Sequence, residues 1–258
     1  MASPPPPSHI RADELLLSQG EVDSRAVAQR LIRAGKVLRS DGSVVNKPSQ
    51  KLPEDERLII SEPIRFVSRG GDKLEAWFQA FPLDITEMNA LDVGASTGGF
   101  TDCLLQRGAA HVTGIDVGHG QLHPRLDDDP RVVSLEGINA RALDEVELPH
   151  ETYPLVVADL SFISLKKVLT PVWNRVAPNG RIFLLVKPQF EAPKEIVTRT
   201  KGIIRDKAVR ADALASVRDY ALSLPGAILI GELECPIAGG DGNREYLIGL
   251  QKAAQPSD

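Results

Sequence analysis

The sequence predicts a doubly wound, mostly parallel α/β domain with an antiparallel edge pair, preceded by a small α+β module. Three observations carry this. From residue 88 onward, short runs rich in Val, Ile and Leu alternate with stretches of helical period, the mark of βαβ units. The chain closes on two such runs, "AILIGELECP" and "REYLIGL", joined by a Gly-rich turn without a helix, so they must pair antiparallel. Ahead of the alternation stand two helix-length stretches and a few very short strand-like runs, which read as a separate unit.

The start "MASPPPPSHI" has no basic region followed by an apolar core, so residues 1–8 read as a disordered proline tail rather than a secretory signal. Residues 9–62 form the small module. "RADELLLSQG" is a short helix stopped by Gly20, and "DSRAVAQRLIRAG" a second, capped by Asp23 or Ser24 and stopped by Gly35. Val27, Leu31 and Ala34 make its expected buried stripe, leaving Arg30, Arg33 and Lys36 outside. "KVLRSDGSVVNKP" reads as a β-hairpin about Asp41-Gly42, and "RLIIS" as a further strand. From Ser24 to Leu52 there are seven basic residues and one acid, although the whole chain carries −5. Such a local basic face suits phosphate. This order of elements resembles the RNA-binding module named after ribosomal protein S4, with "RADELLL", "SRAVAQRLIRAGKV" and "NKPSQKL" as its carriers. The resemblance implies RNA contacts from Arg11, Arg25 and Lys47, joined by Arg30, Arg33 and Lys36; an ion pair of Arg11 with Asp13 or Glu14 is the alternative.

Pro63 and the glycines at 70 and 71 place a linker at 63–72, and the large domain at 73–253. In "VSRGGDKL" two glycines read as a tight turn, with Asp72 capping a helix and Glu75 completing a capping box. Leu74, Trp77, Phe78 and Phe81 fall on one face of that helix. Lys73 then stands at a helix mouth, where a cation is unfavourable.

The large domain follows in order. "NALDVG" is the first strand and "GGFTDCLLQRG" a helix with Phe100, Cys103 and Leu104 inward. "AHVTGIDVG", "RVVSLEG", "PLVVADL" and "GRIFLLVKP" are strands; "LKKVLTPVWNRV" and "DKAVRADALASVRDYAL" are helices. A second basic stretch, Lys194 to Arg210, has six basic residues against two acids. Cys103 and Cys235 lie far apart and form no C-x-x-C pair, which speaks against a zinc site or a disulfide framework; no metal is expected. No apolar run is long enough to span a membrane, so the expected setting is the cytoplasm.

The glycine turn "DVGASTGG" discriminates between cofactors. A dinucleotide site wants G-x-G-x-x-G, whereas here Gly94 is followed by Gly98 and Gly99, with no lysine for a P-loop. Asp116 ends the second strand at the distance that suits ribose hydroxyls. Ribose recognition without a pyrophosphate clamp points to S-adenosylmethionine on a Rossmann-like sheet. Asp92 and the loop Gly94, Ser96, Thr97 and Gly98 would face the amino-acid end of that cofactor. Asn139 would lie by the adenine or else bond its own loop.

The acceptor is narrowed by what is missing. There is no Asn/Asp-Pro-Pro-aromatic turn for an exocyclic amine, and both cysteines look structural. A ribose hydroxyl needs only deprotonation or polarisation, which a lysine can provide. Lys73, Asp159, Lys187 and Glu245 each stand at an element end and can form a charge-balanced cluster. For three of them there are alternatives: Asp159 as a helix cap, Lys187 in solvent, and Glu245 paired with Arg244.

Together "VSRGGDKL", "LDVGASTGGFTD", "GIDVGHGQL", "ADLSFISL", "VKPQFEA" and "GNREYLIGL" resemble the TlyA family. The resemblance implies 2′-O-methylation of cytidine in ribosomal RNA, hence ribosomal subunits as partners, by an FtsJ-like domain behind the S4-type module. It maps a Lys-Asp-Lys-Glu tetrad onto Lys73, Asp159, Lys187 and Glu245; either lysine could be the base, and one arrangement has Lys73 favouring the neutral form of Lys187, which then takes the hydroxyl proton. It assigns Phe162 to stacking near the cofactor or target base, core packing being the alternative, and leaves Arg141 as a local RNA contact. Two other readings stay open: an RNA-binding assembly protein without catalysis, and a membrane-acting hemolysin, a label this family often carries.

Overall fold

The computed structural model describes residues 8–62 and 64–254 and divides into two units, 1–65 and 66–258. The proline tail up to residue 7 and Pro63 lie outside the described residues.

In the first unit, β1 (His9–Arg11) leads into α1 (Ala12–Ser18), followed by α2 (Arg25–Arg33), β2 (Val37–Arg39), β3 (Lys51–Pro53) and β4 (Leu58–Ile60). Ser24, not Asp23, caps α2, its side chain accepting a hydrogen bond from the Val27 amide; such a cap contributes about 1 kcal/mol. Gly20 and Gly35 stop the two helices at positive φ. The buried stripe of α2 is Ala28, Leu31 and Ile32, with Val27 partly covered and Ala34 exposed. The expected hairpin about Asp41-Gly42 forms, with Leu38 bridged to Val44 and the Arg39 and Val45 amides donating to the Ser43 and Val37 carbonyls, and β2 also pairs antiparallel with β4. Pairing with the apolar β4 run brings Leu58 into the core beside Val37, which a turn around polar Asp41 could not do.

The second unit opens with α3 (Arg69–Ala80), then β5 (Asn89–Val93), α4 (Gly99–Gln106), β6 (His111–Asp116), α5 (Pro124–Asp127), β7 (Val132–Glu136), β8 (Tyr153–Ala158), α6 (Leu169–Asn174), β9 (Val176–Val186), α7 (Pro188–Glu191), α8 (Lys194–Arg199), α9 (Lys207–Leu222), β10 (Ala227–Glu234) and β11 (Tyr246–Lys252). Seven strands form one sheet in the order β10-β11-β9-β8-β5-β6-β7. From β7 to β9 neighbours run parallel, while β11 is antiparallel to both β9 and β10. Two apolar clusters cover its faces, one around Trp173, Tyr153 and Leu169, the other around Trp77, Phe78, Phe100 and Phe183.

The start of α3 departs from the sequence expectation. Ser68 caps the helix and accepts from the Gly70 amide, so Asp72 stands in the first turn and both glycines are helical. Gly71 serves close packing, not a turn. A Cβ on Gly71 would stand 2.4 Å from the Cβ of Phe66 and 2.9 Å from the Gly99 carbonyl oxygen. The contact of α3 with α4 admits no side chain there. Lys73 is thereby moved from the helix mouth into the second turn, where it is buried.

Candidate functional site

The carboxyl ends of β5, β6, β8 and β9 gather the polar residues, as open α/β sheets require. The turn after β5 sets the floor. Gly94 has φ 86°, and a Cβ on it would stand 2.5 Å from the Asp159 carbonyl oxygen, so backbone meets backbone there. Gly98, at φ 87°, starts α4. Asp116, at the end of β6, accepts from the Ser96 amide through Oδ2 at 2.9 Å and from the Gly118 amide through Oδ1 at 2.7 Å. The carboxylate is thus locked in orientation while each oxygen retains a lone pair for a ligand.

Gly94, Ser96, Asp116 and Gly118 line a cleft of about 480 Å³, together with Val117, Asn139, Arg141, Asp159, Ser161 and Phe162; Gly98 lies outside its lining. That volume suits a small-molecule ligand. Asn139 does both things expected of it, lining the cleft while its Oδ1 accepts from the Arg141 amide at 3.0 Å. Arg141 is exposed at the rim. Phe162 is not core: it has φ 65°, is 91% exposed, and leans against Phe190 with ring centroids 5.3 Å apart. A non-glycine residue held at positive φ with its ring in water is a costly arrangement, of the kind found at ligand sites.

Asp92 is a correction. Expected to face the cofactor, it is instead wholly buried and lines neither the cleft nor the smaller cavity beside it; its Oδ2 accepts from the Thr101 amide and hydroxyl at 3.0 and 2.7 Å. Burial pushes its carboxyl up to about 7, with Asp159 and Asp116 adding to the rise against the two hydrogen bonds from Thr101. It braces the glycine turn from below.

A smaller cavity of about 130 Å³ adjoins the same loop, lined by Ser68, Gly94, Ser96, Thr97, Asp159, Ser161 and Lys187. Lys187 Nζ lies 2.5 Å from Asp159 Oδ1 and donates to Ser161 Oγ at 2.8 Å. Lys73 is paired with Glu245, their side chains 7% and 3% exposed. The structure therefore brings the four residues together as two ion pairs, and the alternatives fall away: Arg244 pairs with Glu234, Asp159 holds a lysine instead of a helix end, and the Lys187 side chain is 11% exposed. Lys73 spends its charge on Glu245, which offsets its expected influence on Lys187. Burial, first of all, pushes the Cys235 thiol up to about 12, with Lys73 acting against the rise and Glu245 and Asp159 adding to it, which leaves it inert. Both cysteines are buried and free.

Sequence reasoning passed over Ser161, Ser68 and Glu191. Glu191 is a partly buried acid, its carboxyl raised by burial, that accepts from Ser164 Oγ at 2.6 Å and the Leu165 amide at 2.7 Å. It ties α7 to the Phe162 turn. Only the position of Ser161 three residues past the end of β8 could have signalled its part.

In the first unit, the arginines expected on RNA are engaged within the fold. Buried Asp13 accepts from Arg11 at 2.9 and 3.0 Å, from Arg25 at 2.9 Å and from Gln29 at 2.7 Å. Burial alone would raise the Asp13 carboxyl, but these bonds override it and hold it well below the usual carboxylate range. The ion-pair alternative for Arg11 is what the structure contains, and Arg25 shares it. Lys36 pairs with Glu62 at 3.0 Å and Arg33 donates to Gln29 at 3.3 Å, while Lys47 is exposed. Among the described residues no group of three or more His, Cys, Asp or Glu is placed to hold a metal ion, and no helix is long and apolar enough to cross a membrane.

Comparison with known proteins agrees with this geometry. An FtsJ-like methyltransferase family model matches residues 66–252, and an S4 domain model residues 10–58. The 16S/23S rRNA (cytidine-2′-O)-methyltransferase TlyA of Mycobacterium tuberculosis is 42% identical over 93% of this chain and 89% of its own length. Hemolysin A of Brachyspira hyodysenteriae is 38% identical over 92% of this chain and 98% of its own. Among solved structures, a chain from Streptococcus thermophilus described as a candidate hemolysin superposes with a TM-score of 0.72 at 38% identity, covering 97% of this chain and 90% of that one.

Proposed function

The chain belongs to the FtsJ-like methyltransferase family, in the group that joins this domain to an S4 domain, and from that premise we propose that it methylates the 2′-hydroxyl of a cytidine in ribosomal RNA. The methyltransferase fold and family imply a methyl donor of the S-adenosylmethionine type. The residues fit such a donor: the cleft is of suitable volume, Gly94 leaves its floor to backbone, and Asp116 is held ready for two hydroxyls. When bound, the donor supplies an electrophilic methyl group on a sulfonium.

The remaining work falls to the chain. The loop from Gly94 to Gly98 and Asp116 hold the donor, Val117 offers an apolar wall to a flat base, and Asn139 closes that end. Lys187, the lysine that opens onto the smaller cavity, passes one proton to its partner Asp159 and, as the neutral amine, takes the hydroxyl proton at Nζ; Asp159 and Ser161 aim it. Lys73 and Glu245 form a buried pair of fixed charges that holds its end of the site rigid. Methyl transfer to an oxygen is mainly a matter of holding reactants in line, so orientation of this kind carries much of the rate. Phe162 stacks on the target base at the rim.

The observation that carries this reading is Lys187 with Asp159, set against the glycine loop in one cavity. The test is transfer of labelled methyl from S-adenosylmethionine to ribosomal subunits and naked rRNA, with nucleoside analysis of the product. Label on cytidine ribose, reduced about a hundredfold or more in Lys187→Ala, is the expected result. Label on a base, or transfer undiminished in the variant, overturns it.

A further inference from the structure

The two basic stretches of the sequence meet different fates. In the first unit much of the charge is spent internally: Arg11 and Arg25 on Asp13 and Glu14, Lys36 on Glu62, and Arg39 on Glu56. In the second stretch, Lys194, Arg199, Lys201 and Arg205 are all exposed. Among the described residues none of these four side chains enters an ion pair or hydrogen bond. Glu195 is the one acid between Lys194 and Arg205. Four unspent cations within twelve residues repel one another, which disfavours the compact loop until a polyanion neutralises them.

This segment is not a loose loop. It leaves the sheet directly after Lys187, and α7 is held by Glu191 against Ser164 and Leu165. Lys201 and Gly202 turn the chain back through consecutive positive φ values of 50° and 80°. The return is fastened by Asn243, which is 1% exposed: its Oδ1 accepts from the Ile204 amide and its Nδ2 donates to the Gly202 carbonyl, each at 2.8 Å. Arg210 adds bonds to the Ile204 and Arg205 carbonyls and to the Tyr246 hydroxyl. The strap therefore begins at one residue of the proposed site and is pinned two residues from another, Glu245.

We propose that residues 194–205 form a second RNA-binding surface, on the methyltransferase unit itself, whose four cations grip the phosphates flanking the target nucleotide, and that Asn243 is a positioning residue that holds this surface to the strand carrying Glu245. This rests on the reading of an RNA substrate given above. Rigid fastening matters because a phosphate grip orients a nucleotide only if the grip is fixed relative to Lys187. Phosphate contacts position without reading sequence, so the surface sets reach and register.

The test uses the full chain with Lys194, Arg199, Lys201 and Arg205 all changed to Gln, and a labelled fragment of naked rRNA as probe. Loss of four phosphate contacts flattens the slope of log affinity against log salt by about 3. The KM for RNA rises about tenfold or more at moderate salt, while the affinity for S-adenosylmethionine, read by calorimetry, is retained. Asn243→Ala, with every surface charge in place, is expected to raise the KM for RNA with little change in the salt slope. A wild-type slope and KM in the quadruple variant overturns the proposal, as does lost binding to phosphatidylserine vesicles with RNA binding unchanged. RNA affinity is read without turnover. A wild type that binds RNA with this salt dependence yet transfers no methyl therefore overturns the preceding reading and leaves the RNA surface standing.

Discussion

Changing Lys73 to Met removes one half of an ion pair and leaves the other half buried. The Glu245 side chain is 3% exposed, and Gly239 packs so closely that a Cβ there would stand 2.2 Å from Glu245 Oε1, so water has little room to replace the lysine. An uncompensated buried charge costs about 3–5 kcal/mol, a large part of the roughly 5–15 kcal/mol that holds a domain folded. For a unit of this size that corresponds to a fall in Tm of roughly 6–20 °C. Changing Glu245 to Gln as well removes the charge, and the double variant is expected to regain most of the loss, since a buried pair contributes little net stability over neutral residues. Scanning calorimetry on the wild type, the two single variants and the double variant closes the cycle. Methyl transfer measured well below all four melting temperatures then separates folding from chemistry, and is expected to stay low in the double variant. Equal stability of Lys73→Met and the double variant would refute the reasoning about buried charge. Full turnover in the double variant would refute the role of the pair in the site.

Two further expectations follow from the same geometry. Because burial raises the Asp92 carboxyl to about 7 when folded, against about 4 when unfolded, the folded chain binds the extra proton between those values. This contribution is present below pH 4 and is lost as pH rises through 7. Asp92→Asn, which keeps the bonds from Thr101 in reach, should flatten the change in Tm between pH 5.5 and 8; a dependence as steep as wild type would show that Asp92 is not its source. Phe162→Ala removes a ring that is 91% exposed, so Tm should stay within about 0.5 kcal/mol of wild type in free-energy terms. Its KM for RNA should nevertheless rise several-fold, and a clear drop in Tm would return this ring to a packing role.

Much of the large domain was legible because βαβ alternation, glycine turns and strand-end acids are local signals. The run "LVVAD" gives a buried strand and puts Asp159 at its end whatever surrounds it, and "DVGASTGG" turns wherever it is placed. Local signals misled where a distant partner won. The glycines of "VSRGGDKL" suggested a turn, yet they are helical, and Gly71 packs against Phe66 and the backbone of Gly99, the latter 28 positions away. "KVLRSDGSVV" does close as a hairpin, but the pairing of its first strand with β4 was not written in that stretch.

Charge was the least legible property. Composition counts an arginine the same whether it is spent or free. Arg11 and Arg25 bend inward because Asp13 is buried and must be satisfied, while Lys194 and Arg199 stand outward without an ion pair. By itself the sequence determined the strand order's raw material, the glycine loop and the four residue types of the site. Only the tertiary structure decided that those four form two separate pairs, Lys73 with Glu245 and Lys187 with Asp159, because pairing across 172 positions of chain depends on how helix α3 packs against the sheet beside the start of β11.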